Sequence, residues 1–307
     1  MPGNDTTANV PPRPTRLPAF LTWMPVQLVV LFVVLAALDL ACQLLGVWLV
    51  HAAPRSLRDA TQVLAALLLS VVMIVAYRFL VRVLEQRTAD ELQRSGAVRG
   101  LAAGAGVGVG LFALVYAMLW ALGAVSFQGS GGLAGLGQAL AIPIASAFGE
   151  EIVFRGVVYR RLEERLGTTI ALLVSAAVFG LVHAGNPGAN WVSTLAIVLE
   201  SGVLLGLAYA ATRSLWLPIG LHFGWNFTEG GIFGAAVSGR EYSGLINAPL
   251  SGPPLITGGA FGPEASVAAL VVALSASLAL GWYVVHTGRW RRPSWRRRPA
   301  AAADGRR

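Results

Sequence analysis

The chain has no lysine: its 23 basic residues are all arginine. We read this bias as the coding habit of a GC-rich bacterial genome rather than as chemistry. It has a single cysteine, Cys42, so no intrachain disulfide can form. Within an apolar run that thiol reads as a small buried residue. Charge of either sign is scarce. Only 12% of the 307 residues are charged, about half the share in a soluble domain. No H-E-x-x-H pair is present, which excludes the usual zincin arrangement. There is also no internal repeat of the kind many transporters show.

Apolar sequence fills the space left by charge. Hydrophobic residues make up 55% of the chain and the mean hydropathy is +0.65. Residues 26–50 carry one charge, Asp39, and residues 60–77 and 100–126 carry none. A membrane-spanning helix needs about 20 such residues. The expected fold is therefore all-α: a polytopic transmembrane helix bundle. About eight spans are expected, near 24–50, 60–82, 98–124, 136–160, 168–186, 190–211, 214–235 and 265–286. The first is too long, and begins too late, to read as a cleaved signal peptide.

Arginine placement orients the bundle. With both termini in the cytosol, 20 of the 23 arginines fall inside and Arg55, Arg58 and Arg240 fall outside, as the positive-inside rule requires. The expected organisation is a disordered Pro-rich cytosolic arm (1–20), N-terminal transmembrane helices (21–135) and a second helical core (136–235). An extracytoplasmic Gly/Pro-rich loop (236–264), expected to be mobile, a last transmembrane helix (265–288) and a basic cytosolic tail (289–307) complete it. The net charge of +8 sits largely in that tail. An Arg/Trp tail beside a membrane span anchors to anionic lipid rather than reading nucleic acid. Gly100, Gly104 and Gly108 in the third span, and Gly202 and Gly206 in the sixth, have the spacing that lets helix backbones approach closely.

Ionisable groups at membrane depth cost about 2.5–3.5 kcal/mol each on insertion scales, so they default to functional candidates. Here they are Glu150, Glu151 and Arg155 in span four and His183 in span five. Span six adds Glu200, and span seven His222, Asn226 and Glu229. Glu151 and Arg155 are four apart and share a helix face, so they can pair. His222 and Asn226 have the same spacing, as do Phe179 and His183. If the three helices converge, a carboxylate, two imidazoles and a carboxamide surround one cavity. A carboxylate near a histidine can take a proton from water attacking a carbonyl. A second imidazole and an amide can donate to the oxyanion. Alternatively, Glu150, His183 and His222 match the ligand set of a catalytic zinc with water in the fourth position. Glu200 and Glu229 are weaker candidates, expected to pair with a neighbouring helix and to face the outer mouth. Residues 160–165 read as a solvated helix end.

These residues resemble the signature of the CPBP family of intramembrane proteases, also called the CAAX protease, bacteriocin-processing or Abi family. E-E-x-x-x-R is matched by Glu150, Glu151 and Arg155, F-x-x-x-H by Phe179 and His183, and H-x-x-x-N by His222 and Asn226. The resemblance covers roughly residues 140–230. It implies a multi-pass enzyme of a bacterial plasma membrane that hydrolyses peptide bonds in membrane-associated proteins or peptides. By that analogy Glu150 and His183 activate water. His222 and Asn226 steady the oxyanion or help bind a metal, and Glu151 and Arg155 form a supporting pair that orients Glu150. The competing expectation is a non-enzymatic transporter or interaction scaffold that uses the same polar cluster. Counting residues from the span ends, the depths of the three motifs agree only if span five starts deep or tilts. The cavity is expected to open to the cytosol.

Overall fold

The computed structural model describes residues 18–133 and 135–296. The Pro-rich arm up to residue 17 and the basic tail from residue 297 lie outside the described residues. The helices are α1 (Met24–Ala52), α2 (Arg58–Leu80), α3 (Ala97–Ala121), α4 (Leu136–Glu151), α5 (Arg160–His183), α6 (Trp191–Ile197), α7 (Val203–Thr212), α8 (Trp216–Asn226), the short α9 (Pro254–Thr257) and α10 (Val267–His286). π-helical turns extend α2 through Glu85, join α4 to α5 (Ile152–Tyr159), join α6 to α7 (Val198–Gly202) and extend α8 (Phe227–Ile232). Among the described residues the fold is all-α, with only isolated β-bridges.

Six of the described helices are long and apolar enough to cross a membrane. Helical segments occupy all eight of the expected stretches. The difference arises at two places. Leu136–His183 runs as one continuous helical stretch, but Gly167 breaks it at φ 78°, a backbone conformation that costs glycine little. A side chain there would also meet the Arg291 and Pro293 backbone. The two halves fold back on each other: Phe154 packs edge-on against Phe179 at 5.0 Å, and Ser175 donates to the Phe154 carbonyl. The other place is α8 with its π-turn, a span shorter than the rest.

Large apolar side chains such as Leu44, Trp48, Leu68, Leu181 and Leu278 face outward. In water that surface would be an interaction or aggregation hazard; in a bilayer it meets lipid tails, which are equally apolar.

Close packing of α3 on α8 sets the position of the site. A Cβ at Gly104 would collide with the Leu217 carbonyl, and one at Gly108 with the Leu221 carbonyl. Gly220 and Gly224 return the contact against Leu101 and Ala105. Gly106 and Gly110, on the other face of α3, have nothing within 4 Å. Gly104→Val is therefore expected to spread the pair and destabilise the bundle by about 1–3 kcal/mol. Gly106→Val is expected to be near neutral. Thermal unfolding of the two purified variants checks the contrast; equal midpoints would refute it.

The arginine-rich end is closed by ion pairs. Arg160 bonds Glu85 and Glu164, the latter at 2.7 Å. Arg161 reaches Glu164 and Gln27, and Arg213 pairs with Glu163. Arg160, Arg161 and Glu163 are buried. This corrects the reading of 160–165 as a solvated helix end: several elements converge here and exclude water. The start of the basic tail docks as well, through reciprocal bonds between Arg291 and Thr168 of 3.0 and 2.9 Å.

The segment 236–264, expected to be mobile, packs onto the bundle. Phe261, Ala248 and Glu264 are buried, and residues beside Gly188 and Gly239 lock the segment to the α5–α6 turn. The reason is geometric. After Gly167, α5 runs only to His183, so the α5–α6 turn lies low and leaves a space above it that this segment fills.

Candidate active site

Three elements bring the polar residues together. Glu150 and His183 stand almost equally far along the chain on either side of Gly167, so the hairpin sets them at one level. The side chain of α8 that joins them, His222, lies only about 10 Å from the start of its helix at 1.5 Å per residue. The levels match because α8 starts deep. Its leading residue Leu215 packs beside Gly156, eleven residues in from Gly167. The turn Asp90–Leu92 is folded beneath it, with Leu215 N–H donating to the Glu91 carbonyl at 2.8 Å. The depth mismatch therefore resolves in the seventh helical segment, not in span five.

Glu151 and Arg155 are fully buried and paired at 2.9 Å. Glu151 Oε1 also accepts from His222 Nδ1 at 3.0 Å. Arg155 Nη2 donates to the carbonyls of Ser201 and Gly202 at 2.9 and 3.3 Å, which ties the α4 helix to the α6–α7 turn. The guanidinium lies 4.4 Å above the Phe179 ring. Buried charges need such pairing to be tolerated. The contact of Glu151 with His222 has the pattern by which carboxylates fix an imidazole's ring and tautomer.

Phe179 holds the second imidazole. Its carbonyl lies 2.8 Å from His183 Nδ1, and since a carbonyl can only accept, that nitrogen is the donor. Nε2 faces Glu150 Oε2 at 3.7 Å, too far for a direct hydrogen bond. That Glu150 oxygen has no other partner and is buried.

One cavity of about 810 Å³ is lined by Glu150, His183, His222 and Asn226. It runs past Asp39 and Gln43 of α1 to His51, with Gln62 of α2, Gln138 of α4 and Arg240 also on its wall. No residue of the arginine-rich ion-pair network lines it. The cavity thus extends toward the end away from the arginines. The expected opening was at the arginine-rich end, which the sequence reading places in the cytosol; the lining runs instead toward His51 and Arg240.

The three-ligand zinc arrangement is not formed. Among the described residues no group of three or more His, Cys, Asp or Glu side chains has metal-holding geometry. His222 spends Nδ1 on Glu151, and Glu150 and His183 face each other alone.

Two residues that line the cavity were not legible as such in the sequence. Asp39 was visible only as the lone charge of span one. Glu264 was hidden in the segment read as a loop; it lines the cavity and accepts from Ser238 N–H and Oγ at 2.7 and 2.9 Å. Burial pushes its carboxyl above the ordinary range. Glu229, expected at an outer mouth, is fully buried, as is Glu200. Glu200 lies against Ser201 and Glu229 against Glu264.

Fold and site define a multi-pass α-helical membrane protein with converging acid and imidazole groups, of the kind found in a bacterial plasma membrane. Residues 132–228 match the model of a family described as Type II CAAX prenyl endopeptidase Rce1-like, which supports the CPBP family for this chain. All three motifs fall inside that stretch, which is just under a third of the chain. Over 73 residues the chain is 33% identical to a Bacillus subtilis (strain 168) protein described as "Putative membrane peptidase YdiL". That alignment covers 24% of this chain and 28% of the relative's length. No solved structure matches.

Proposed function

We propose that this protein is an intramembrane endopeptidase that cleaves membrane-associated protein or peptide substrates with a water held between Glu150 and His183. The observation that carries the reading is the 3.7 Å approach of Glu150 Oε2 and His183 Nε2 in a large cavity. The family match supports an intramembrane protease.

The chemistry follows from the donors and acceptors in place. A water donating to both groups presents its oxygen lone pair to a substrate carbonyl carbon. As the C–O bond forms, the water's proton passes to Glu150 or His183. The carbonyl oxygen becomes an oxyanion. Asn226 Nδ2–H can donate to it, as can His222 Nε2 when that ring carries a second proton. Collapse breaks the C–N bond, and the held proton leaves with the amine. Anionic lipid is the partner proposed for the arginines of the basic tail.

The test is direct. Purified full-length protein in liposomes, given a membrane-embedded peptide library in H₂¹⁸O, should yield paired fragments with ¹⁸O at the new carboxyl terminus. Folded protein that releases no fragments rejects the enzyme reading and leaves the scaffold one. A second arm addresses metal. Cleavage retained after a chelator, with substoichiometric metal by elemental analysis, is expected. Stoichiometric zinc, with activity lost on chelation and regained on its return, would install the metal alternative.

A further inference from the structure

Asp39 has no assigned role and lies outside the matched stretch. It is the one ionisable group between residues 26 and 50, placed near the middle of α1, where an aspartate is unfavourable by about 3 kcal/mol. The fold makes specific room for it. A Cβ at Gly149 would collide with Asp39 Oδ1, so this glycine lets the carboxylate sit against α4, one residue from Glu150. Its hydrogen bond comes from Gln43 Nε2, one turn along, at 2.8 Å. No ion pair forms with it among the described residues.

Arginine and histidine, and no lysine, supply the basic groups of the cavity beside it: Arg240, His51, His183 and His222. Asp39, Glu150 and Glu264 all line it, while the lining arginine, Arg240, is exposed. Arg155 is committed to Glu151. A carboxylate held at membrane depth, facing a cavity and making no ion pair, is placed to receive a cation from that cavity. The amides of Gln43, Gln62 and Gln138 on the same wall suit an extended peptide backbone. That cation would then be a side chain of the substrate.

Resting on the proteolytic reading, we propose that Asp39 is a specificity-determining residue: it receives an arginine or lysine side chain of the substrate peptide in the cavity next to Glu150.

The experiment uses two quenched fluorescent peptides that differ only in arginine against citrulline, its neutral near-isostere, with the full-length protein in liposomes. Wild type should favour the arginine peptide by about tenfold or more in kcat/KM, as a charge-assisted bidentate contact would. Asp39→Asn should bring that ratio close to one. A binding arm separates this from the proteolytic reading. Full-length Glu150→Gln protein should bind the arginine peptide more tightly than the citrulline one, and Glu150→Gln/Asp39→Asn should not. A wild type that binds with this preference but cleaves neither peptide removes the enzyme reading and keeps the cation site. Equal kcat/KM and equal affinity for the two peptides in wild type overturn the inference. So does an Asp39→Asn loss that is the same for both peptides, since Asp39 would then act on Glu150 and not on the substrate.

Discussion

Glu150→Gln is expected to lower kcat by about 10²–10⁴-fold, the range for loss of a positioned general base, with little change in stability. Glutamine keeps the shape and one acceptor but cannot take the water's proton. Glu150 is part-exposed and makes no close ion pair, its nearest partner being His183 at 3.7 Å. Removing its charge therefore strands no buried partner. His183→Ala should cost a similar factor, because both groups hold one water. The double variant should then be about as slow as the worse single one, as for residues that act as a unit. Single-turnover cleavage of a liposome-embedded peptide, with thermal unfolding of each variant alongside, checks this. Full activity in both single variants would remove the water-activation chemistry. Losses that multiply would show that the two groups serve different steps.

The second large effect is on the folded state. Arg155→Met should destabilise the protein by about 3–5 kcal/mol, the scale for breaking a buried pair by removing one partner. The geometry gives the reason. Arg155 is the partner of a fully buried Glu151 and the donor to two carbonyls of the α6–α7 turn. Methionine fills similar volume, so the loss reports the charge and its hydrogen bonds. Glu151→Gln should be milder, since its amide oxygen still accepts from Arg155 or His222. Glu151→Gln/Arg155→Met should recover part of the Arg155→Met loss, because no carboxylate remains stranded. Reversible unfolding in mild detergent measures the cycle. An Arg155→Met variant within about 1 kcal/mol of wild type would refute the buried-pair account.

Much of the fold could be read from local sequence. Long uncharged runs mark helices whose solvent is lipid, and the four-residue spacing of Gly104 and Gly108 marks a backbone contact that needs no side-chain detail. The pairing of Glu151 with Arg155 was legible for the same reason, since i, i+4 neighbours on a helix meet whatever surrounds them. The break at Gly167 falls in the gap left between the expected spans 136–160 and 168–186.

The rest depended on separations that spacing does not encode. Which donor beyond Arg155 reaches Glu151 depends on how far α8 slides relative to α4, and the turn at Asp90–Leu92 bears on that slide. The packing of 236–264 follows from the shortness of α5, not from any pattern in its own Gly- and Pro-rich sequence. Glu264 therefore looked like loop decoration. Asp39 looked like an isolated anomaly until Gly149 was seen opposite it.

By itself the sequence determined the solvent, the helices and the kinds of chemical group available. Burial energies and helix periodicity act within a few residues of chain, so they leave their mark in composition and spacing. Only the tertiary structure decided which groups face one another, which end of the bundle the cavity reaches and which carboxylates make no ion pair. Those outcomes hang on a few ångströms of helix shift, set by contacts between residues more than a hundred positions apart.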